Sequence, residues 1–186
     1  MDHLQRSRLN LLTSHMLDRG GLLRLDPALI AEQAADQRAR FLGIRHMRIA
    51  VDLRDPERPA WLTAEEAADR FGQCESRVYL GQEGQTPYFA LLLDHDLPEP
   101  GDGFSGLRSL ARQVSNAEAT LLGYAQAMAA WHHRYRFCGR CGGATHLDQG
   151  GHVRVCSQAK CGETHYPRTD PAIIVLVQRG DYALFG

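Results

Sequence analysis

No apolar run in this sequence approaches the ~18 residues from which a membrane-crossing helix is inferred, so no membrane partner is expected. The opening residues, Met1-Asp2-His3-Leu4-Gln5-Arg6, are too polar to begin the apolar core of a secretory signal. Charge of one sign is missing too. A formal net charge of −1 leaves no global field to draw the chain to nucleic acid or an anionic bilayer. There are no low-complexity tracts, no internal repeats and none of the short motifs of familiar catalysts: no glycine-rich phosphate loop, no HExxH, no GxSxG. Glu65-Glu66 and Asp94-His95-Asp96 are the tight acidic groupings. The first belongs to a helix cap and the second to a strand end, so neither reads as a carboxylate cluster for a metal.

What remains is the composition of a globular protein: 186 residues, 44% hydrophobic and 23% charged, enough for one ordinary domain and a small one. The expected compartment is the cytoplasm, where thiols stay reduced and clustered cysteines hold metal more often than they form disulfides.

The first hundred residues alternate helix and strand signals. Asp26-Pro27 starts a helix expected to run to Arg40, and His46 to Leu53 reads as a strand followed by a turn over 55–59. Thr63-Ala-Glu-Glu66 is a capping box for a helix to about Phe71. Ser76 to Gly81 and Pro87 to Leu93 read as strands joined by a glycine-rich segment, with a loop from Asp94 to Gly106. Cys74 has no partner in sequence and reads as a small buried residue. Leu107, Leu110, Ala111 and Val114, then Leu121, Leu122, Ala125, Met128 and Ala129, recur at helical spacing, with Ser115 or Asn116 as cap of the second stretch. That stripe is expected to cover the chain's own core, with a dimer interface as the alternative. Toward the end, Pro171 to Val177 is a continuous β-branched run, read as a buried strand. A turn over 178–181 and a second strand from Tyr182 follow.

The strongest signal lies between. Cys138 and Cys141 form a CxxC knuckle backed by Gly142-Gly143; Cys156 and Cys161 form a second pair, stretched by two residues over the usual spacing. Two turn-borne cysteine pairs on a hairpin supply the tetrahedron that Zn²⁺ requires. With four thiolates the shell is closed, so the predicted zinc is structural rather than catalytic. His146, His152 and His165 are read as solvated ribbon residues rather than competing ligands, and His132 and His133 get the same reading.

Phe137-Cys-Gly-Arg-Cys-Gly142, then Cys156 and Cys161, then His165-Tyr-Pro-Arg-Thr-Asp-Pro-Ala-Ile-Ile174, together resemble the NADH pyrophosphatase (NAD diphosphatase) branch of the Nudix hydrolases. The preceding Trp131-His-His-Arg-Tyr135 fits as well. The resemblance implies an α+β chain. A degenerate Nudix-like domain over 1–134 would end in a helical connector, a zinc ribbon would cover 135–168, and 169–186 would be only the first strands of a catalytic Nudix domain. It implies hydrolysis of the pyrophosphate of NAD(H), or of an NAD-capped RNA end, to two monophosphates by a homodimer. Its catalytic glutamates hold Mg²⁺ or Mn²⁺ in a Nudix box, G-x5-E-x7-R-E-x2-E-E-x-G, and this sequence contains no such box. The chain is therefore expected to be truncated before its active site and inactive alone. Two residues match family substrate contacts. Tyr166 would stack on the dinucleotide, the alternative being a ribbon-packing tyrosine; Arg108 would lie near the substrate, the alternative being a solvated arginine at a helix start. A family glutamate contact falls near Gly151 and is missing. The competing function is a zinc-ribbon module that binds nucleic acid or protein, suggested by Arg136, Arg140, Arg154, Lys160 and Arg168.

Overall fold

The computed structural model describes residues 5, 12, 17–74, 76–93, 103–168 and 175–184. Helix α1 (Pro27–Ala35) begins where expected: Asp26 accepts hydrogen bonds from the Ala28 and Leu29 amides, and Pro27 occupies the first turn. It ends sooner than expected, at Asp36, because residues 40–45 form a strand. That strand, β1 (Arg40–Arg45), was missed in the sequence because Ala-, Gln- and Arg-rich residues run up to its edge. β2 (Arg48–Ala50) is shorter than the expected 46–53, since His46 and Met47 both take positive φ and form a two-residue hairpin turn. Helix α2 (Ala64–Phe71) carries the capping box: Thr63 N–H donates to Glu66 at 2.8 Å, and the Glu66 amide to Thr63 Oγ1 at 3.3 Å.

β3 (Arg77–Glu83) and β4 (Thr86–Leu92) form the expected hairpin, irregular where Leu80 is inserted between Tyr79 and Gly81. β5 (Phe104–Gly106) lies inside the segment read as a loop and pairs with β2. One turn of helix, α3 (Leu107–Leu110), precedes the long α4 (Asn116–Arg134), whose cap is Ser115. Asn116 instead accepts from the Leu12 amide at 3.0 Å.

The sheet order is β3-β4-β1-β2-β5, antiparallel except for the parallel pair β1–β4. Both faces are covered, as residue alternation shows. Leu42, Ile44, Val78, Leu80 and Ala90 share one cluster with Leu121, Leu122, Ala125 and Met128 of α4. Their neighbours Phe41, Tyr79, Phe89 and Leu91 point the other way, into a cluster with Ile30 and Ala34 of α1 and Ala67 of α2. The α4 stripe thus covers the chain's own core. Cys74 is half-buried beside this second cluster, with its sulfur 3.6 Å from the carbonyls of Ser76 and Leu92.

β6 (Thr145–Asp148), β7 (Val153–Cys156) and β8 (Thr164–His165) make a separate antiparallel sheet, and a single 3-10 turn, Gln149–Gly151, links its first two strands. β9 (Val177–Arg179) and β10 (Tyr182–Leu184) form an exposed hairpin. The buried strand read over 171–177 is corrected in its described part: Val175 and Leu176 belong to no strand and are 65% and 60% exposed. Residues 171–174 and Asp94-His95-Asp96 lie outside the described residues. No described helix is long and apolar enough to cross a membrane.

Candidate metal centre

Each cysteine pair sits on a turn whose geometry the sequence dictates. In the first, the Cys138 amide donates to the Gly143 carbonyl and the Gly142 amide returns to the Cys138 carbonyl at 2.8 Å. Gly142 has φ +75°, a conformation that favours glycine. In the second, the Gln158 carbonyl accepts from both Cys161 and Gly162, and Gly162 plays the Gly142 part at φ +56°. The two extra residues of this pair are absorbed before that turn, leaving Cys156 in register on β7 opposite Thr145.

These turns bring four sulfurs together. Cys138, Cys141, Cys156 and Cys161 place their Sγ atoms within 4.8 Å of one another. Cys138 to Cys161 is 3.8 Å and Cys141 to Cys156 is 3.5 Å. Sulfurs bound to one Zn²⁺ at ~2.3 Å in a regular tetrahedron stand ~3.8 Å apart, so the donor set fits that ion. The surroundings suit thiolates as well. Burial pushes the Cys138 thiol up, but the Arg140 and Cys141 amides and the His165 imidazole outweigh it and bring its pKa down. Cys161 moves the other way: the Glu163 amide favours its thiolate, but burial and the crowded neighbouring sulfurs raise its pKa. Four clustered thiols cannot all ionise without a cation among them; a divalent ion removes that conflict. Arg140 closes the outside of the site with a 3.0 Å ion pair to Glu163.

His133 and His146 are exposed, as expected, whereas His132, His152 and His165 depart from the solvated role. His165 Nε2 lies 3.3 Å from Cys138 Sγ, placed to support a ligand rather than replace one. His132 is only 3% exposed. His152 Nε2 donates to the Tyr79 carbonyl at 2.7 Å, joining the ribbon to β3. Arg154, on β7, is buried too: Nε donates to Thr145 Oγ1, Nη2 to the Thr145 carbonyl and Nη1 to His132 Nδ1. Sequence reading missed this latch; its available signal was Gly150-Gly151-His152 followed by an arginine inside an apolar strand.

The two candidate substrate contacts stand apart. Tyr166 follows β8 on the ribbon and is 59% exposed. Arg108 lies on α3, exposed beside Leu12, Ala111 and Arg112. No described hydrogen bond or ring contact joins them.

Comparison with known proteins decides the family. Residues 38–131, half of the chain, match the model of the NADH pyrophosphatase-like rudimentary NUDIX domain, and residues 133–166 match that of the NADH pyrophosphatase zinc ribbon domain. The chain belongs to the NADH pyrophosphatase-like Nudix family. The layered sheet is that family's rudimentary Nudix domain and the four-cysteine site is its zinc ribbon. Among its relatives, the NAD-capped RNA hydrolase NudC of Stutzerimonas stutzeri is 41% identical over 105 residues, 56% of this chain and 37% of the relative. NudC of Pseudomonas aeruginosa is 38% identical over 98 residues, 53% of this chain and 34% of the relative. Human NUDT12, also a NAD-capped RNA hydrolase, is 39% identical over 75 residues, 37% of this chain and 16% of the relative. The matched stretch therefore spans roughly a third or less of these relatives' own lengths.

Proposed function

We propose that this chain is the scaffold and zinc-ribbon portion of a hydrolase that cleaves the pyrophosphate of NAD(H), or of an NAD-capped RNA end, into two monophosphates. The observation that carries the reading is the closed four-cysteine shell on a ribbon latched to a rudimentary Nudix domain, in a family whose relatives are named NAD-capped RNA hydrolases. The division follows the motifs: 1–134 as rudimentary domain with its helix, 135–168 as ribbon, 169–186 as the opening of a catalytic domain.

The zinc held by Cys138, Cys141, Cys156 and Cys161 fixes the ribbon; a closed thiolate shell offers no position for water or substrate. This chain's part in the reaction is positional. Tyr166 presents an exposed ring for stacking on a base of the dinucleotide, and Arg108 offers a cation toward phosphate. Mg²⁺ or Mn²⁺, held by carboxylates that this sequence does not contain, supplies charge neutralisation and an activated water. A homodimer in the cytoplasm completes the reading, and the reduced thiols the zinc requires agree with that compartment.

The test is release of nicotinamide mononucleotide from NADH and from NAD-capped RNA with Mg²⁺ or Mn²⁺. Residues 1–186 alone should release none. A fusion of residues 1–168 to the catalytic portion of the Stutzerimonas relative should hydrolyse both. A zinc-loaded, folded fusion without activity, or metal-dependent hydrolysis by 1–186, overturns the proposal.

A further inference from the structure

A cavity of about 470 Å³ lies where the rudimentary Nudix domain meets the ribbon, apart from the zinc site. Its apolar walls come from both units: Ile44, Leu92 and Leu93 from the sheet, Ala129 from α4, and Leu147 from the ribbon. Met47 and Ser76 also line it, and its basic groups are His46 of the β1–β2 turn, His132 and His133 in the last turn of α4, Arg136 two residues beyond that helix, and Arg154 on β7. That size is within the range of small-ligand sites, which pair apolar walls with a few placed polar groups.

Arg154 is the unusual member. It is 7% exposed, and no carboxylate pairs with it among the described residues. Buried charges are ordinarily paired. Here burial, and then the guanidinium of Arg136, push the Arg154 pKa down. A guanidinium has five N–H donors. Three are used, one from Nε and one from each terminal nitrogen, which leaves one N–H on each terminal nitrogen of a side chain that lines the cavity. That pair of donors suits two oxygens of one anion. His132 adds no acceptor to the site. Its Nδ1 takes the Arg154 bond and its Nε2 donates to the Gly151 carbonyl at 2.7 Å.

We propose that this cavity binds a phosphomonoester with an apolar or aromatic body, a nucleoside monophosphate in class, its phosphate at Arg154 and Arg136 and its body against Ile44, Leu92 and Ala129. The site is independent of the proposed hydrolysis, since no residue assigned to that reaction lines it. A free inorganic phosphate would satisfy the arginines but leave the apolar wall unused.

The experiment titrates AMP, adenosine and inorganic phosphate into zinc-loaded 1–186 by calorimetry, with ¹⁵N NMR of the arginine and histidine side chains. AMP should bind saturably, about tenfold or more tighter than either adenosine or phosphate, and shift the Arg154 and His132 signals. Arg136→Ala, at an exposed position, should weaken AMP several-fold with zinc content and melting temperature unchanged, and Ala129→Phe should fill the cavity and abolish binding. No saturable binding, adenosine binding as well as AMP, phosphate binding as well as AMP, or an unaffected Arg136→Ala variant overturns the proposal.

Discussion

His132 Nε2 stands 2.7 Å from the carbonyl oxygen of Gly151, joining the last turn of the long helix to the ribbon's 3-10 turn. Because Arg154 donates to the other ring nitrogen, the Nε2–H tautomer of neutral histidine is the one that satisfies both bonds. This imidazole, together with His152 on the Tyr79 carbonyl, ties the zinc ribbon to the Nudix-like domain.

A pH dependence follows from that latch. Burial lowers the pKa of His132 from 6.5 to about 4, and that of His152 likewise to about 4. Between these values the unfolded chain binds protons that the folded chain refuses. Stability is therefore complete above pH 6.5 and falls as pH drops toward 4. At ~1.4 kcal/mol per pKa unit the two residues together account for several kcal/mol at most. NMR should find both imidazoles neutral at pH 5, and urea unfolding at saturating zinc should show stability declining below pH 6.5. Either ring titrating near 6.5 contradicts the buried latch.

Gly151 is the second point of control. Its φ is +86°, and a Cβ there would approach Val78 Cα to 2.9 Å and the Arg77 carbonyl to 3.0 Å. The contact is with backbone, which cannot swing aside. Gly151→Ala should cost about 1–3 kcal/mol through strain and loosened docking. Gly139→Ala, with open space around it, is the control and should cost far less. Chemical denaturation of the two variants measures the difference.

Much of this was legible in the sequence for identifiable reasons. The capping box at Thr63 and Glu66, the stripe on the long helix and the four cysteines are local patterns with local causes, and each stands in the structure. β1 was not legible, because its central place comes from pairing in parallel with β4, a relationship between residues far apart in the chain. β5 was hidden by length: three residues become a strand only because β2 is there to pair with them. The latch residues were misread for the same reason. Nothing local distinguishes His132 from its exposed neighbour His133; Gly151 and Arg154 make the difference.

The β9–β10 hairpin presents Val177, Tyr182 and Leu184 at 58%, 84% and 72% exposure. An uncovered apolar hairpin with open edges is a template for pairing with a second copy. Residues 1–186 should therefore self-associate, and removal of residues 172–186 should give a more monodisperse protein with its zinc intact. Light scattering compares the two. Monodisperse residues 1–186 that trimming does not improve contradict the expectation.

The zinc centre supports both the docked ribbon and the family reading, and metal analysis of the purified chain tests it most directly. The account predicts about one zinc per chain, retained on dialysis and lost in a Cys138→Ser/Cys156→Ser double variant. Zinc well below one equivalent, or full binding by the double variant, would contradict it.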